Sequence, residues 1–194
     1  MGISLVKGQK ISLEKSDGSS LSKIFLGAGW DVAKKGGLFG MFGGGDGSID
    51  LDASAILFDE NNNVVDNVWF AQLKSRDGSI QHSGDNRTGD GDGDDEAIHV
   101  DLTKVPSQVK SIVFTISSFR GQTFAKVENA YCRLVDATSN TEIAKYNLSA
   151  KGDFTALIIA KVYRHNGAWK MSALGEACNG KTIQEMIPAI LPVL

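Results

Sequence analysis

The stretch Ala156-Leu157-Ile158-Ile159-Ala160-Lys161-Val162-Tyr163-Arg164-His165-Asn166-Gly167-Ala168-Trp169-Lys170-Met171-Ser172-Ala173-Leu174 decides the fold class. Two apolar or alternating runs, 156–164 and 169–174, flank Asn166-Gly167. Asn and Gly tolerate the positive φ that a two-residue turn demands, so this is a strong β-hairpin signal. Working outward, short runs rich in Val, Ile, Phe and Thr recur at 10–13, 24–30, 49–58, 67–72, 97–102, 111–117, 130–136 and 143–148, with turn residues between them. Asp59-Glu60-Asn61-Asn62-Asn63 is one such punctuation. Many short strands separated by turns predict an all-β, two-sheet β-sandwich. Helix signals are confined to 181–191, where Ile183, Met186, Ile187 and Ile190 share a face and Pro188 is expected to distort the turn. This short C-terminal helix is expected to pack against the sandwich.

At 194 residues with 42% apolar content, the chain can bury one substantial core, so a single domain over 1–194 is expected. The segment 34–47 breaks the strand pattern. Lys34-Lys35-Gly36-Gly37-Leu38-Phe39-Gly40-Met41-Phe42-Gly43-Gly44-Gly45 combines backbone freedom with large apolar side chains. It reads as a flexible Gly-rich insertion, either a disordered one or an exposed apolar contact for a partner or a second copy.

The net charge of −3 hides a strong asymmetry. The segment 85–96 holds six of the 23 acids and one of the 20 bases, leaving 17 acids against 19 bases elsewhere. Such a focus of negative charge argues against nucleic acid and against an anionic membrane surface as partners. The two cysteines, Cys132 and Cys178, cannot build a disulfide framework, and no secretory signal opens the chain, so a cytoplasmic location is expected. The longest apolar runs fall short of the about 20 residues a membrane helix needs, so no direct membrane insertion is expected.

The acidic segment reads Gly84-Asp85-Asn86-Arg87-Thr88-Gly89-Asp90-Gly91-Asp92-Gly93-Asp94-Asp95-Glu96. So much carboxylate calls for neutralisation by a hard cation. Calcium takes about 6 to 8 oxygens from carboxylates, amide side chains and backbone carbonyls, and the loop supplies all three types. Magnesium demands stricter geometry and keeps its waters, and soft metals do not match an oxygen-only set. Counted from Asp90, Asp95 falls where an EF-hand needs its turn glycine, and helices do not flank the loop. Asp50 and Asp52, two apart on an expected strand, share a face and are candidates to complete the coordination sphere or to build a second site; Asp31 is a weaker one.

At these residues the sequence resembles the TerD family of tellurium-resistance and stress-response proteins, in its TerZ-like branch. The resemblance spans nearly the whole chain. It rests on Gly27-Ala28-Gly29-Trp30-Asp31, on Ile49-Asp50-Leu51-Asp52-Ala53-Ser54, on the 84–96 loop and on Tyr163-Arg164-His165-Asn166-Gly167-Ala168-Trp169-Lys170. The insertion Leu38-Phe39-Gly40-Met41-Phe42-Gly43-Gly44-Gly45, together with Ser118-Phe119-Arg120-Gly121-Gln122, carries the TerZ-like character. The resemblance implies a β-sandwich with acidic calcium-binding loops at one end, one or two calcium ions, and a cytoplasmic role in stress resistance. It implies Asp85, Asn86, Asp90, Asp92, Asp94, Asp95 and Glu96 as ligands, joined by Asp50 and Asp52, with carbonyls from Thr88, Gly89 and Gly93. Other proteins, including those of the same resistance system, are the partners it suggests.

Residues usual in catalysis are scattered. His82, His99 and His165 form no zinc motif and are expected at the surface or in a hairpin. Cys132 reads as a buried inert thiol, Ser54 and Ser83 lack a nucleophile-elbow setting, and no phosphate-binding lysine follows a glycine-rich turn. Trp30, Trp69 and Trp169 are expected in core or hairpin packing. A non-enzymatic, calcium-dependent interaction module is therefore expected. The alternative is a metal-dependent hydrolase or phosphotransfer enzyme using the same carboxylates around an ion with an open position for water.

Overall fold

The computed structural model describes residues 2–15, 17–32, 50–84, 93–148 and 151–194. The expected Gly-rich insertion at 34–47 and most of the acidic loop lie outside them. The described strands are β1 (Ile3–Ser4), β2 (Lys10–Ser12), β3 (Lys23–Val32), β4 (Asp52–Phe58), β5 (Val64–Val68), β6 (Ile80–His82), β7 (Glu96–Asp101), β8 (Ser111–Ser117), β9 (Val127–Asp136), β10 (Thr141–Asn147), β11 (Ala156–His165) and β12 (Ala168–Cys178). They form two six-stranded sheets, ordered β1-β10-β9-β3-β7-β6 and β2-β12-β11-β8-β4-β5. All pairings within them are antiparallel except β1 with β10.

The inner faces meet in one apolar core. Leu26, Ala28 and Trp30 of β3 and Cys132 and Leu134 of β9 join Ala55 and Leu57 of β4, Ile112 and Phe114 of β8 and Ile159 of β11. A second cluster explains why β4 and β8 are buried along their whole lengths. Ile56, Phe58, Val113 and Ile158, on the opposite face of their sheet, are covered by Ile183, Met186 and Ile190 of the helix α1 (Ile183–Ile190). Each such side chain contributes roughly 1.5–3 kcal/mol by leaving water. Thr182 caps α1 by accepting from the Glu185 N–H, and the chain runs through Pro188 into a 3-10 turn at Leu191–Val193.

The predicted hairpin is present: Asn166 has φ 51° and Gly167 φ 79° between β11 and β12. Arg164 stacks over Trp169 at 4.2 Å and donates to the carbonyls of Val105 and Val109, so this motif clamps the 103–110 loop to the sheet. Three differences from expectation have local causes. β5 begins at Val64 rather than at 67, because Asp59 accepts from the backbone of Asn61 and Asn63 and closes a tight turn. Trp69 and Gln72 bond to each other's backbone and end that strand. β1 and β6 are strands of two and three residues, too short to show a period in sequence.

Candidate functional site

β6 and β7 are neighbours in one sheet, and the acidic loop joins them, leaving β6 after His82 and entering β7 at Glu96. Asp85, Asn86, Thr88, Gly89, Asp90 and Asp92 lie outside the described residues; Gly93, Asp94, Asp95 and Glu96 form the described stem. Gly93 has φ 109°, and past it three consecutive carboxylates enter three different environments.

Asp94 lies over the outer face of the sheet. Arg133 Nε donates to it at 2.7 and 3.0 Å, and that bond holds the guanidinium above its usual pKa. A Cβ on Gly27 would overlap the Asp94 carboxylate. Beside it, a Cβ on Gly29 would come within 2.6 Å of the Tyr131 ring. The two glycines of Gly27-Ala28-Gly29-Trp30-Asp31 therefore leave room for the groups that hold the loop stem. The Tyr131 hydroxyl donates to the Gly93 carbonyl at 2.6 Å, and burial, with the Asp94 charge, pushes its pKa up to about 12. It is a neutral donor at physiological pH.

Glu96 turns inward and is 1% exposed. It accepts from the Ala53 N–H at 2.6 Å and lies 3.2 Å from His82 Nε2, which is also 3.1 Å from the Ala53 carbonyl. The Gly84 N–H donates to His82 Nδ1 at 3.0 Å, so Nδ1 carries no proton and Nε2 is the donor. His82 is thus a buried neutral strut joining both stems of the loop to β4. This corrects the expectation that it lies at the surface.

Asp95 faces a cleft of about 590 Å³ lined by Trp30, Asp31, Gly93, Asn129, Tyr131, Lys145 and Asn147. Its carboxylate accepts from the Trp30 N–H at 2.8 Å. Burial raises its pKa against that hydrogen bond, reinforced by Asp31, Glu96 and Asp94. The opposite wall depends on a β-bulge: Gly29 pairs with Tyr131 but Asp31 pairs with Glu128, so Asn129 and Ala130 together face Trp30. Asn129 takes φ 50°, a conformation Asn tolerates, and donates to Asp31 at 2.8 Å.

Asp50 pairs with Arg120 at 3.2 Å, and its N–H reaches Gln122 Oε1 at 3.4 Å. Asp52 is buried opposite Ser117, on the sheet face it shares with Ile56 and Phe58. Its neighbour Ala53 is the residue that meets Glu96. Among the described residues, no three His, Cys, Asp or Glu side chains are gathered as a ready metal site. The oxygen-only donors around Asp31 and Asp95 nevertheless match a hard cation. The Asp50 Oδ1 atom is buried with no hydrogen-bond partner among the described residues, a further acceptor suited to a cation.

Sequence reading missed His82, Tyr131, Arg133 and Lys145. Only the paired glycines of Gly27-Ala28-Gly29 hinted that bulky groups from elsewhere cover that strand. Cys132 is fully buried and its thiol is pushed up to about 12 by burial, as an inert core thiol should be.

The TerD domain model matches residues 1–189. The tellurium resistance protein TerZ of Serratia marcescens is 50% identical over 184 residues, covering 95% of this chain and 94% of that protein. The stress response protein SCP2 of Bacillus subtilis (strain 168) is 43% identical over 197 residues, covering 96% of this chain and 98% of its own length. The crystal structure of a homologue of telluride resistance protein (TerD) from Streptomyces coelicolor A3(2) superimposes with a TM-score of 0.69 at 19% identity, covering 87% of this chain and 96% of that one. That likeness shows the fold.

Proposed function

The chain belongs to the TerD domain family of tellurium-resistance and stress-response proteins, and on that premise we propose that it is a cytoplasmic, non-enzymatic protein that binds calcium through its acidic loop and acts as a calcium-dependent interaction module. The observation that carries the reading is the meeting of Asp95 with Asp31 in an open cleft at the foot of a loop that still holds Asp85, Asp90 and Asp92. Like charges crowded there are costly unless a cation is shared among them.

The residues that would hold the ion are Asp31 and Asp95, with Asp85, Asn86, Asp90 and Asp92 and the carbonyls of Thr88, Gly89 and Gly93. Asp94 and Glu96 are committed to Arg133 and to Ala53 and His82, so they serve as struts that fix the loop ends. Bound calcium would neutralise the loop and complete a surface for other proteins, those of the same resistance system included. The non-enzymatic reading is supported by His82, a base whose ring is buried and already hydrogen-bonded. Among the described residues no helix is long and apolar enough to cross a membrane.

Titrating chelator-treated protein with calcium while following thermal unfolding tests this. Binding to the folded state alone adds about 2.7 kcal/mol at a hundredfold excess over Kd. An unfolding temperature that does not move at millimolar calcium would sink the proposal.

A further inference from the structure

We propose, resting on the calcium reading above, that the cleft between β3, β9 and β10 is a subsite for a phosphate-class oxyanion, which bridges an ion held at Asp31 and Asp95 to the Lys145 ammonium. The cleft is built of opposed charges. Asp31 and Asp95 line one part of it; Lys145 and the amides of Asn129 and Asn147 line the rest. Lys145 lies over the Tyr131 ring at 4.0 Å and has no carboxylate partner among the described residues, so its N–H groups are available to an acceptor. Tyr131 is itself held, by its bond to Gly93 and by close packing on Gly29, so the platform under Lys145 is fixed. Trp30, 3% exposed and also lining the cleft, has an indole N–H that is buried and finds no acceptor among the described residues. The Lys145 ammonium beside a cation site suits an anion that carries several acceptor oxygens, one set for the cation and one for the ammonium.

The charge balance dictates the order of events. In the absence of a cation, two carboxylates against one ammonium repel a phosphate dianion. A divalent ion reverses that sign, and calcium, with about 6 to 8 oxygen positions, accepts an outside oxygen readily. Anion and cation therefore bind as a coupled pair. At about 590 Å³ the cleft has room for more than an inorganic ion, so a phosphate monoester and free phosphate share the chemistry and must be told apart by measurement.

Calorimetry on the full chain does so. Calcium is titrated with and without inorganic phosphate or glycerol 1-phosphate, and each anion is titrated with and without calcium, below the solubility limit of the salts. The expected result is an affinity gain of about fivefold or more, equal in both directions because coupling is reciprocal. It should be lost in Lys145→Met and Lys145→Gln and kept in Lys145→Arg, while calcium binding without anion persists in all three and is not weakened in the two neutral variants, because they remove a positive charge that repels the cation in the same cleft. A tighter monoester identifies the ester as the ligand source, and equal gains identify the free ion; both support the subsite. Calcium binding without anion coupling, or coupling that survives in Lys145→Met and Lys145→Gln, overturns this inference alone. Absence of calcium binding overturns it together with the reading on which it rests.

Discussion

Replacing Glu96 with Ala tests whether this residue is a strut, and the structure sets the size of the effect. The side chain is 1% exposed and accepts from the Ala53 N–H at 2.6 Å and from His82 Nε2 at 3.2 Å. Truncation leaves the Ala53 N–H without its acceptor, at a cost of about 1–3 kcal/mol. His82 retains the Ala53 carbonyl at 3.1 Å, so its loss is partial. The one methylene lost, Cγ, adds about 0.8 kcal/mol of lost transfer energy. Relief from burying the carboxylate charge offsets part of this, since the neutral His82 leaves no uncompensated charge behind. The expected loss is about 2 kcal/mol, or roughly 4–8 °C in unfolding temperature for a chain of this length. The assay is urea unfolding in excess chelator, which separates the strut from any metal contribution. Glu96→Gln keeps an acceptor oxygen and the volume, and should lose about 1 kcal/mol. A loss below about 1 kcal/mol for Glu96→Ala in chelator, or equal losses for Ala and Gln, would refute the strut.

Gly27→Ala pushes a methyl into the Asp94 carboxylate, which Arg133 holds in place, and should destabilise by about 1–3 kcal/mol in chemical unfolding. The cost should shrink markedly in an Asp94→Ala background, where the space is free; an unchanged cost counts against the clash. Cys132, fully buried with its thiol pushed up to about 12, should alkylate at pH 8 at least about 100-fold more slowly than a free thiol and react only on unfolding. Prompt labelling of Cys132 in native protein would show that the core opens. Asp95, whose pKa is raised by burial and by neighbouring carboxylates, makes the ionised form costly to the folded chain. In chelator, the folded state then binds the Asp95 proton more tightly than the unfolded state, so this group's penalty fades as pH falls from neutral through its raised pKa toward 3.8. Wild type should gain stability relative to Asp95→Asn over that window, and a difference flat in pH speaks against the burial.

The sequence made the sandwich legible wherever a run was long enough to carry a period. Ser111–Ser117 emerges with its predicted bounds, and Asn166-Gly167 closes the predicted hairpin with both residues at positive φ. β4 and β8 are buried along their whole lengths because one face meets the opposite sheet and the other meets α1, a burial on both sides that strict alternation would have missed. β6 was invisible, since Ile80–His82 offers three residues and a polar centre. His82 could not be placed for the same reason: its burial depends on the pairing of β6 with β7, not on any local pattern. Tyr131, Arg133 and Lys145 reach the loop stem and cleft only because β9 and β10 follow β3 across the sheet, an order that sequence spacing does not encode.

That same sheet order changes the meaning of the charge count. A tally of 85–96 treats its six carboxylates as equivalent. Geometry divides them. Two residues apart on a regular strand, Asp94 and Glu96 would share a face; because β7 begins only at Glu96, the preceding turn carries Asp94 outward while Glu96 enters the core. Asp94 is paired with Arg133, and Glu96 accepts from Ala53 and lies against His82, so both carry protein partners that hold the stem. Asp95, partly desolvated, lines the cleft together with Asp31. On the calcium reading proposed above, stem ends held by Arg133, Ala53 and His82 with the half-buried Asp95 between them lower the entropic cost of assembling a cation site, because the fold already fixes those stems. The density of acid marks the loop in the sequence, but the calcium response proposed for it would depend equally on Asp94 and Glu96, the carboxylates that fix its stem.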